Sequence, residues 1–202
     1  ELLSALDHPN VVRVVESFET ENEIVMILEL GLGGDLFDFV QKHHERRLSV
    51  SLARELTRQI ARALAHCHAQ GIVHRDVKLE NFVFSNVLNS SCGEDKIPVL
   101  KLIDFGLSKQ WQPPGSSDCI QVRKMNTIVG TLDTAAPEVR DRNLMYTSKC
   151  DMWSLGAVAY VMFRRFFETI THLSIYNNIS PFFVNKNFEI ILKMSRTVPQ
   201  MR

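Results

Sequence analysis

Between Leu52 and Gln70 apolar side chains recur at three- and four-residue spacing, and this periodicity predicts one packed amphipathic helix. The pattern then shortens. Gly71-Ile72-Val73 and Phe82-Val83-Phe84 are brief apolar stretches that read as strands on either side of a polar loop, and Val99 to Ile103 reads as a third. Met152 to Phe163 is almost wholly apolar over about 12 residues, short of the roughly 20 that a membrane span needs, so a buried core helix is expected there. Polar and turn-forming residues fill the intervals. Ser85 to Pro98, with Asn89-Ser90-Ser91-Cys92-Gly93-Glu94-Asp95, reads as a surface excursion, and Gln112 to Asp118 as a turn-rich loop.

The loop between the first two short strands concentrates chemistry. It runs His74-Arg75-Asp76-Val77-Lys78-Leu79-Glu80-Asn81, so a carboxylate, an ammonium and an amide share one tight turn. Asp104-Phe105-Gly106 follows the third apolar run, which projects Asp104 from a strand end beside that loop, and Gly106 lets the backbone turn away. Moving a γ-phosphoryl group to a hydroxyl spreads negative charge over the phosphoryl oxygens, so a catalyst must align the reactants and supply positive charge. Each residue alone is a weak signal, because a solvated turn Asp or Lys is the commoner case. The order and offsets of both clusters together point to phosphoryl transfer.

These clusters resemble those of eukaryotic protein kinases of the serine/threonine type, and the resemblance extends from the first residues to about Phe163. Glu1 to Val12 is similar to the end of the family's small-lobe helix and the turn after it, and Glu23 to Leu30 to the strand entering the hinge. Gly33-Gly34-Asp35-Leu36-Phe37 resembles the start of the first large-lobe helix, Gly130-Thr131 and Ala136-Pro137-Glu138 the end of an activation segment, and Asp151-Met152-Trp153-Ser154-Leu155-Gly156 the central buried helix. The implied fold is α+β, a mainly helical large lobe with only the last strands of the small lobe. Residues 1–163 form an incomplete kinase domain in this reading, with 1–30 the small-lobe remnant and 31–163 the large lobe. Residues 164–202 are a divergent insertion followed by a partial continuation of the large lobe. Within the family the likeness runs to the calcium/calmodulin-regulated group, calcium-dependent protein kinases in particular, although no EF-hand loop occurs in this chain.

The resemblance implies a role for each matching position. Asp76 accepts or orients the substrate hydroxyl proton, Lys78 neutralises charge on the transferred phosphoryl, and Thr131 suits a serine/threonine assignment. Asn81 and Asp104 hold Mg2+, and the cosubstrate is ATP. Glu29, Gly31, Asp35, Leu36 and Val83 form the nucleotide site: the hinge backbone at Glu29 and Gly31 meets adenine, Leu36 and Val83 close an apolar pocket around it, and Leu28 is the gatekeeper. Asp151 braces the catalytic loop through its backbone. The expected partner is a protein substrate with Ser or Thr.

The same comparison exposes departures. The chain contains no Gly-x-Gly-x-x-Gly and no Val-Ala-x-Lys strand, and residue 1 already lies within the helix resemblance, so a domain truncated at both ends and weak activity from this stretch alone are expected. Leu132 and Thr134 stand where the family places a Pro and an aromatic residue, which alters the peptide-docking shelf. A catalytically inactive, pseudokinase-like binding module and a gene-model fragment are therefore rival readings. Formal charge is zero, with 23 basic and 23 acidic residues, so no global field favours nucleic acid or an anionic membrane as partner. Cys67, Cys92, Cys119 and Cys150 lack paired spacing, which suits reduced thiols and a cytoplasmic, intracellular setting. His66, Cys67 and His68 match no zinc-ligand spacing and belong to the predicted helix.

Overall fold

A computed structural model describes residues 3–43, 48–87, 98–110, 134–140 and 147–163. Ser49 begins the long helix of the sequence pattern, α2 (Val50–Ala69), by accepting a hydrogen bond from the Leu52 amide at 3.3 Å. Ala53, Leu56, Ile60, Ala63, Leu64 and Cys67 form its buried stripe. Gly71 ends the turn beyond it with φ 69°, a left-handed value that favours glycine. The shorter α1 (Leu36–Lys42) precedes it, capped by Asp35, whose Oδ1 accepts from the Asp38 amide at 2.7 Å.

The apolar run near the end of the described chain is α4 (Lys149–Phe163), a helix buried on nearly every side and packed against α2. Among the described residues one further α-helical turn, α3 (Pro137–Arg140), lies between them in sequence. No helix among the described residues is long and apolar enough to cross a membrane.

The strands are short and pair in twos. β1 (Val14–Glu19) and β2 (Ile24–Leu28) form an antiparallel ribbon with a register irregularity between Val14 and Glu16. β3 (Ile72–Val73) pairs with β6 (Lys109–Gln110), and β4 (Phe82–Phe84) with β5 (Leu100–Leu102), both antiparallel. Phe82 and Phe84 on β4 and Leu100 and Leu102 on β5 all point into the core, while Val83 and Lys101 face the other side.

The edge of β5 away from β4 is fully satisfied without another regular strand. Leu100 donates to the Gln59 side chain at 2.8 Å and accepts from Asn10 Nδ2 at 2.8 Å; Leu102 donates to the Asn10 carbonyl at 2.9 Å and accepts from the Val12 amide at 2.9 Å. Asn10 Nδ2 and Gln59 Oε1 also bond each other at 2.9 Å. These buried amides replace a neighbouring strand and fix β5, and with it the position of Asp104, against α2.

The expected α+β class is what the structure has, with helices over the predicted apolar segments and strands at all three predicted short runs. Most of the surface excursion at Ser85 to Pro98, the activation-segment region through Leu132 and the stretch from Arg164 onward lie outside the described residues.

Candidate active site

The loop from His74 to Asn81 is built around one buried carboxylate. Asp151, in the first turn of α4 and 1% exposed, accepts from the His74 amide at 2.9 Å and the Arg75 amide at 2.8 Å. His68 Nε2 donates to the same carboxylate at 2.8 Å. Directing two successive amides at one carboxylate bends the chain sharply, and Arg75 takes φ 71°, a left-handed value uncommon for a residue with a side chain. Helices α2 and α4 therefore both grip the loop at one point.

His74 completes the bed. Its Nδ1 accepts from the Asp76 amide at 3.3 Å, so the ring proton sits on Nε2, which donates to the Ile103 carbonyl at 3.1 Å. Phe105 packs edge-to-face on the ring, with centroids 5.0 Å apart. Burial pushes the His74 pKa below its ordinary value, against the opposing pull of Asp151, Ile103, Asp76 and Asp104. The neutral ring thus joins the loop to the segment that carries Asp104.

Asp76 stands above this bed, 6% exposed. Its Oδ2 lies 2.8 Å from Lys78 Nζ and accepts from Asn81 Nδ2 at 3.0 Å. Asn81 Nδ2 also donates to the Asp76 carbonyl at 2.8 Å, which turns Asn81 Oδ1 away from Asp76. The hydrogen bond with Asp76 raises the Lys78 pKa, against partial burial, and the charges of Asp76, Glu80 and Asp104 add to the effect. Lys78 is therefore an ammonium held among carboxylates.

Asp104 has φ 58° and accepts from the Gly106 amide at 3.1 Å. Ile103, just before it, donates to the Asn81 carbonyl at 2.9 Å, so backbone bonding brings the Asp104 strand end to the Asn81 turn. Arg75 reaches across to the Leu107 carbonyl through Nε and ties the loop to the segment beyond Gly106. Asp76, Lys78, Asn81 and Asp104, selected from sequence alone, thus share one neighbourhood.

The hinge positions are partly gathered. A Cβ on Gly31 would lie 2.7 Å from Val83 Cγ2, so only glycine lets this backbone settle on Val83. Gly33 is similarly close to β4: a Cβ there would meet the Asn86 carbonyl oxygen at 2.3 Å, and its amide donates to the Phe84 carbonyl at 3.0 Å. Asp35 bridges to Val83 through the backbone while its carboxylate caps α1. Glu29 is half-buried, its carboxylate taken by Lys101 and by the Arg13 amide.

Leu36 differs from the expectation that it lines an adenine pocket. It is fully buried at the start of α1 in the main core and presents no surface to a ligand, because the helix turns that face inward. Thr131 lies outside the described residues. Sequence reasoning missed the His68 contact, the Asn10 and Gln59 pair and the Glu29 and Lys101 pair, all of which join residues far apart in the chain. The Gly33-Gly34 doublet carried a legible hint of close backbone packing.

A carboxylate, an ammonium and an amide on one buried loop, beside a second carboxylate at a strand end, make a polar cluster suited to phosphoryl transfer on a helical scaffold. The protein kinase domain family matches residues 1–199, and the chain belongs to that family. It is 36% identical over 160 residues to the SNF-related serine/threonine-protein kinase of Rattus norvegicus, covering 79% of this chain and 19% of that protein. It is 37% identical over 155 residues to CDPK-related kinase 1 of Arabidopsis thaliana, covering 77% of this chain and 24% of that protein. It is 34% identical over 161 residues to calcium-dependent protein kinase 5 of Plasmodium berghei (strain Anka), covering 80% of this chain and 25% of that protein. The chain spans about a fifth to a quarter of the length of these curated relatives.

Proposed function

We propose that the protein containing this chain transfers the γ-phosphoryl group of ATP to serine or threonine hydroxyls of proteins, and that this stretch supplies the catalytic loop and part of the nucleotide site. The observation that carries the reading is the convergence of Asp76, Lys78 and Asn81 on one buried loop whose backbone is joined to the Asp104 strand end. Asp76 orients the substrate hydroxyl and receives its proton. Lys78, charged and held 2.8 Å from Asp76, offsets charge on the transferred group.

The donor set fits magnesium. Asn81 Oδ1 and the Asp104 carboxylate are hard oxygen ligands, and two such ligands leave the remaining positions for nucleotide phosphates and water. Bound there, the ion would supply positive charge at the phosphates. The hinge backbone at Glu29 and Gly31, resting on Val83, would receive the adenine, with Asp35 at the rim; the buried Leu36 supports α1 from below. Thr131 would meet the substrate hydroxyl side in a serine/threonine enzyme. Residues 1–163 are the core of the domain in this reading and 164–202 a divergent insertion with a partial continuation. An intracellular setting, where ATP and reduced thiols are found, suits Cys67 and Cys150, which are free and buried among the described residues.

Incubation of the whole protein with Mg2+, γ-labelled ATP and peptides bearing Ser, Thr or Tyr tests the proposal. Label on Ser or Thr that is abolished by chelation is the expected result. Nucleotide binding without transfer to any peptide or protein would favour the pseudokinase-like module, and absence of both would overturn the enzyme reading.

A further inference from the structure

One ion pair ties the hinge to the strand that leads to Asp104. Lys101 Nζ lies 2.7 Å from Glu29 Oε1, and that oxygen also accepts from the Arg13 amide at 2.7 Å. The side chains are only 14% exposed for Lys101 and 23% for Glu29, whereas the Lys42–Asp38 pair on α1 is 77% and 56% exposed. Burial works against ionisation of Glu29, but hydrogen bonds from Lys101 and the Arg13 backbone, with the charges of both residues, outweigh it and hold the carboxyl below its ordinary pKa.

This pair belongs to a closed set of contacts. Lys101 is the cross-strand partner of Val83, so the two side chains stand together on the face of the β4–β5 ladder opposite the core. Val83 fills the space where a Gly31 side chain would lie. The backbone from Glu29 to Gly31 is thus suspended between two adjacent supports, a charge contact at one end and a steric rest at the other. Leu30, between them, is 77% exposed and contributes little packing.

We propose that Glu29 and Lys101 are positioning residues for nucleotide binding, their ion pair fixing the height and orientation of the hinge backbone above Val83. This rests on the reading of the hinge as the adenine site. Hydrogen bonds to the base do not change as the phosphoryl group moves, so they contribute equally to ground and transition states and govern affinity without altering the chemical step.

Calorimetric binding of Mg-ATP and steady-state kinetics on the whole protein, with Lys101→Met, Lys101→Arg, Glu29→Gln and the double variant Glu29→Gln/Lys101→Met, provide the test. Lys101→Met is expected to raise both Kd and KM for ATP about fivefold, the order for opening a partly buried charge pair, with kcat within about twofold of wild type. Lys101→Arg should retain wild-type affinity. The double variant should bind no more weakly than the weaker single variant, because the two changes remove one interaction. The near-isosteric Glu29→Gln keeps the test open if Lys101→Met does not fold. Wild-type binding with unchanged affinity in every variant would overturn the positioning role of the Glu29–Lys101 pair and leave the kinase reading intact, as would a fall in kcat and thermal midpoint at constant KM. A wild-type protein that binds no nucleotide would overturn the hinge reading itself, before any substitution is considered.

Discussion

The bed of the catalytic loop and the β1–β2 ribbon are built on opposite terms. Beneath the loop, His74 and Asp151 are buried, three donors converge on one carboxylate, and α2 and α4 close around it. In the ribbon every β1 residue but Val14 is exposed, and in β2 only Val25 is half-buried; Val15, Phe18, Ile24 and Met26 all carry exposed apolar surface. The loop takes its shape from tertiary contacts between distant residues. The ribbon takes its shape from its own ladder and from attachments at its ends, chiefly Val11 and Val12 on β5 and Glu29 on Lys101. The difference teaches that the proposed chemical residues are held by the large-lobe interior, while the proposed adenine contact depends on a few tethers.

The sharpest way to break this contrast is to remove its central carboxylate. Asp151→Ala leaves the His74 and Arg75 amides without their buried acceptor and should lower stability by about 3 kcal/mol or more, read as a shift in the urea unfolding midpoint. A loss below about 1 kcal/mol would mean that the loop is held by other contacts.

Mild acid should act next, and on the histidines outside the ribbon, since β1 and β2 contain none. The folded-state pKa of His74 is depressed below its ordinary value of 6.5, and that of His8 is lowered too, first by burial and then by His66, Arg62 and Lys101. The unfolded chain therefore binds more protons in acid, so this stability is fully present above about pH 6.5 and declines as pH falls toward the folded-state values. The urea midpoint should be higher at about pH 7.5 than at about pH 5.5, and a flat profile would contradict the neutral, buried assignment of His74.

The smallest effect belongs to the ribbon surface. Val15→Thr, at an exposed β1 position, should change stability by less than about 0.5 kcal/mol, because a β-branched residue is retained and no buried contact is lost. A larger loss in thermal unfolding would show that this face is packed against something in the whole protein.

Legibility from sequence followed the same division. α2 was readable because a one-sided stripe leaves a 3.6-residue period, and α4 because its apolar run is too short to span a membrane yet too continuous for a surface helix. Four residues of the proposed chemical cluster could be selected because they lie in two compact motifs. Leu36 was misplaced because an apolar side chain at a helix start can face either core or cleft, and periodicity does not distinguish them over so short a helix. The supports made by His68, by Gln59 with Asn10 and by Lys101 with Glu29 were hidden because each spans 49 or more positions in the chain and no local pattern records it.

Replacing Asp76 by Asn tests the central claim most directly, because it removes the proposed proton acceptor while keeping size and hydrogen-bonding reach. Phosphoryl transfer by the whole protein should fall about a thousandfold, with the unfolding midpoint little changed and Mg-ATP binding retained. Transfer by Asp76→Asn at the wild-type rate would contradict the assignment of this loop as the seat of the chemistry.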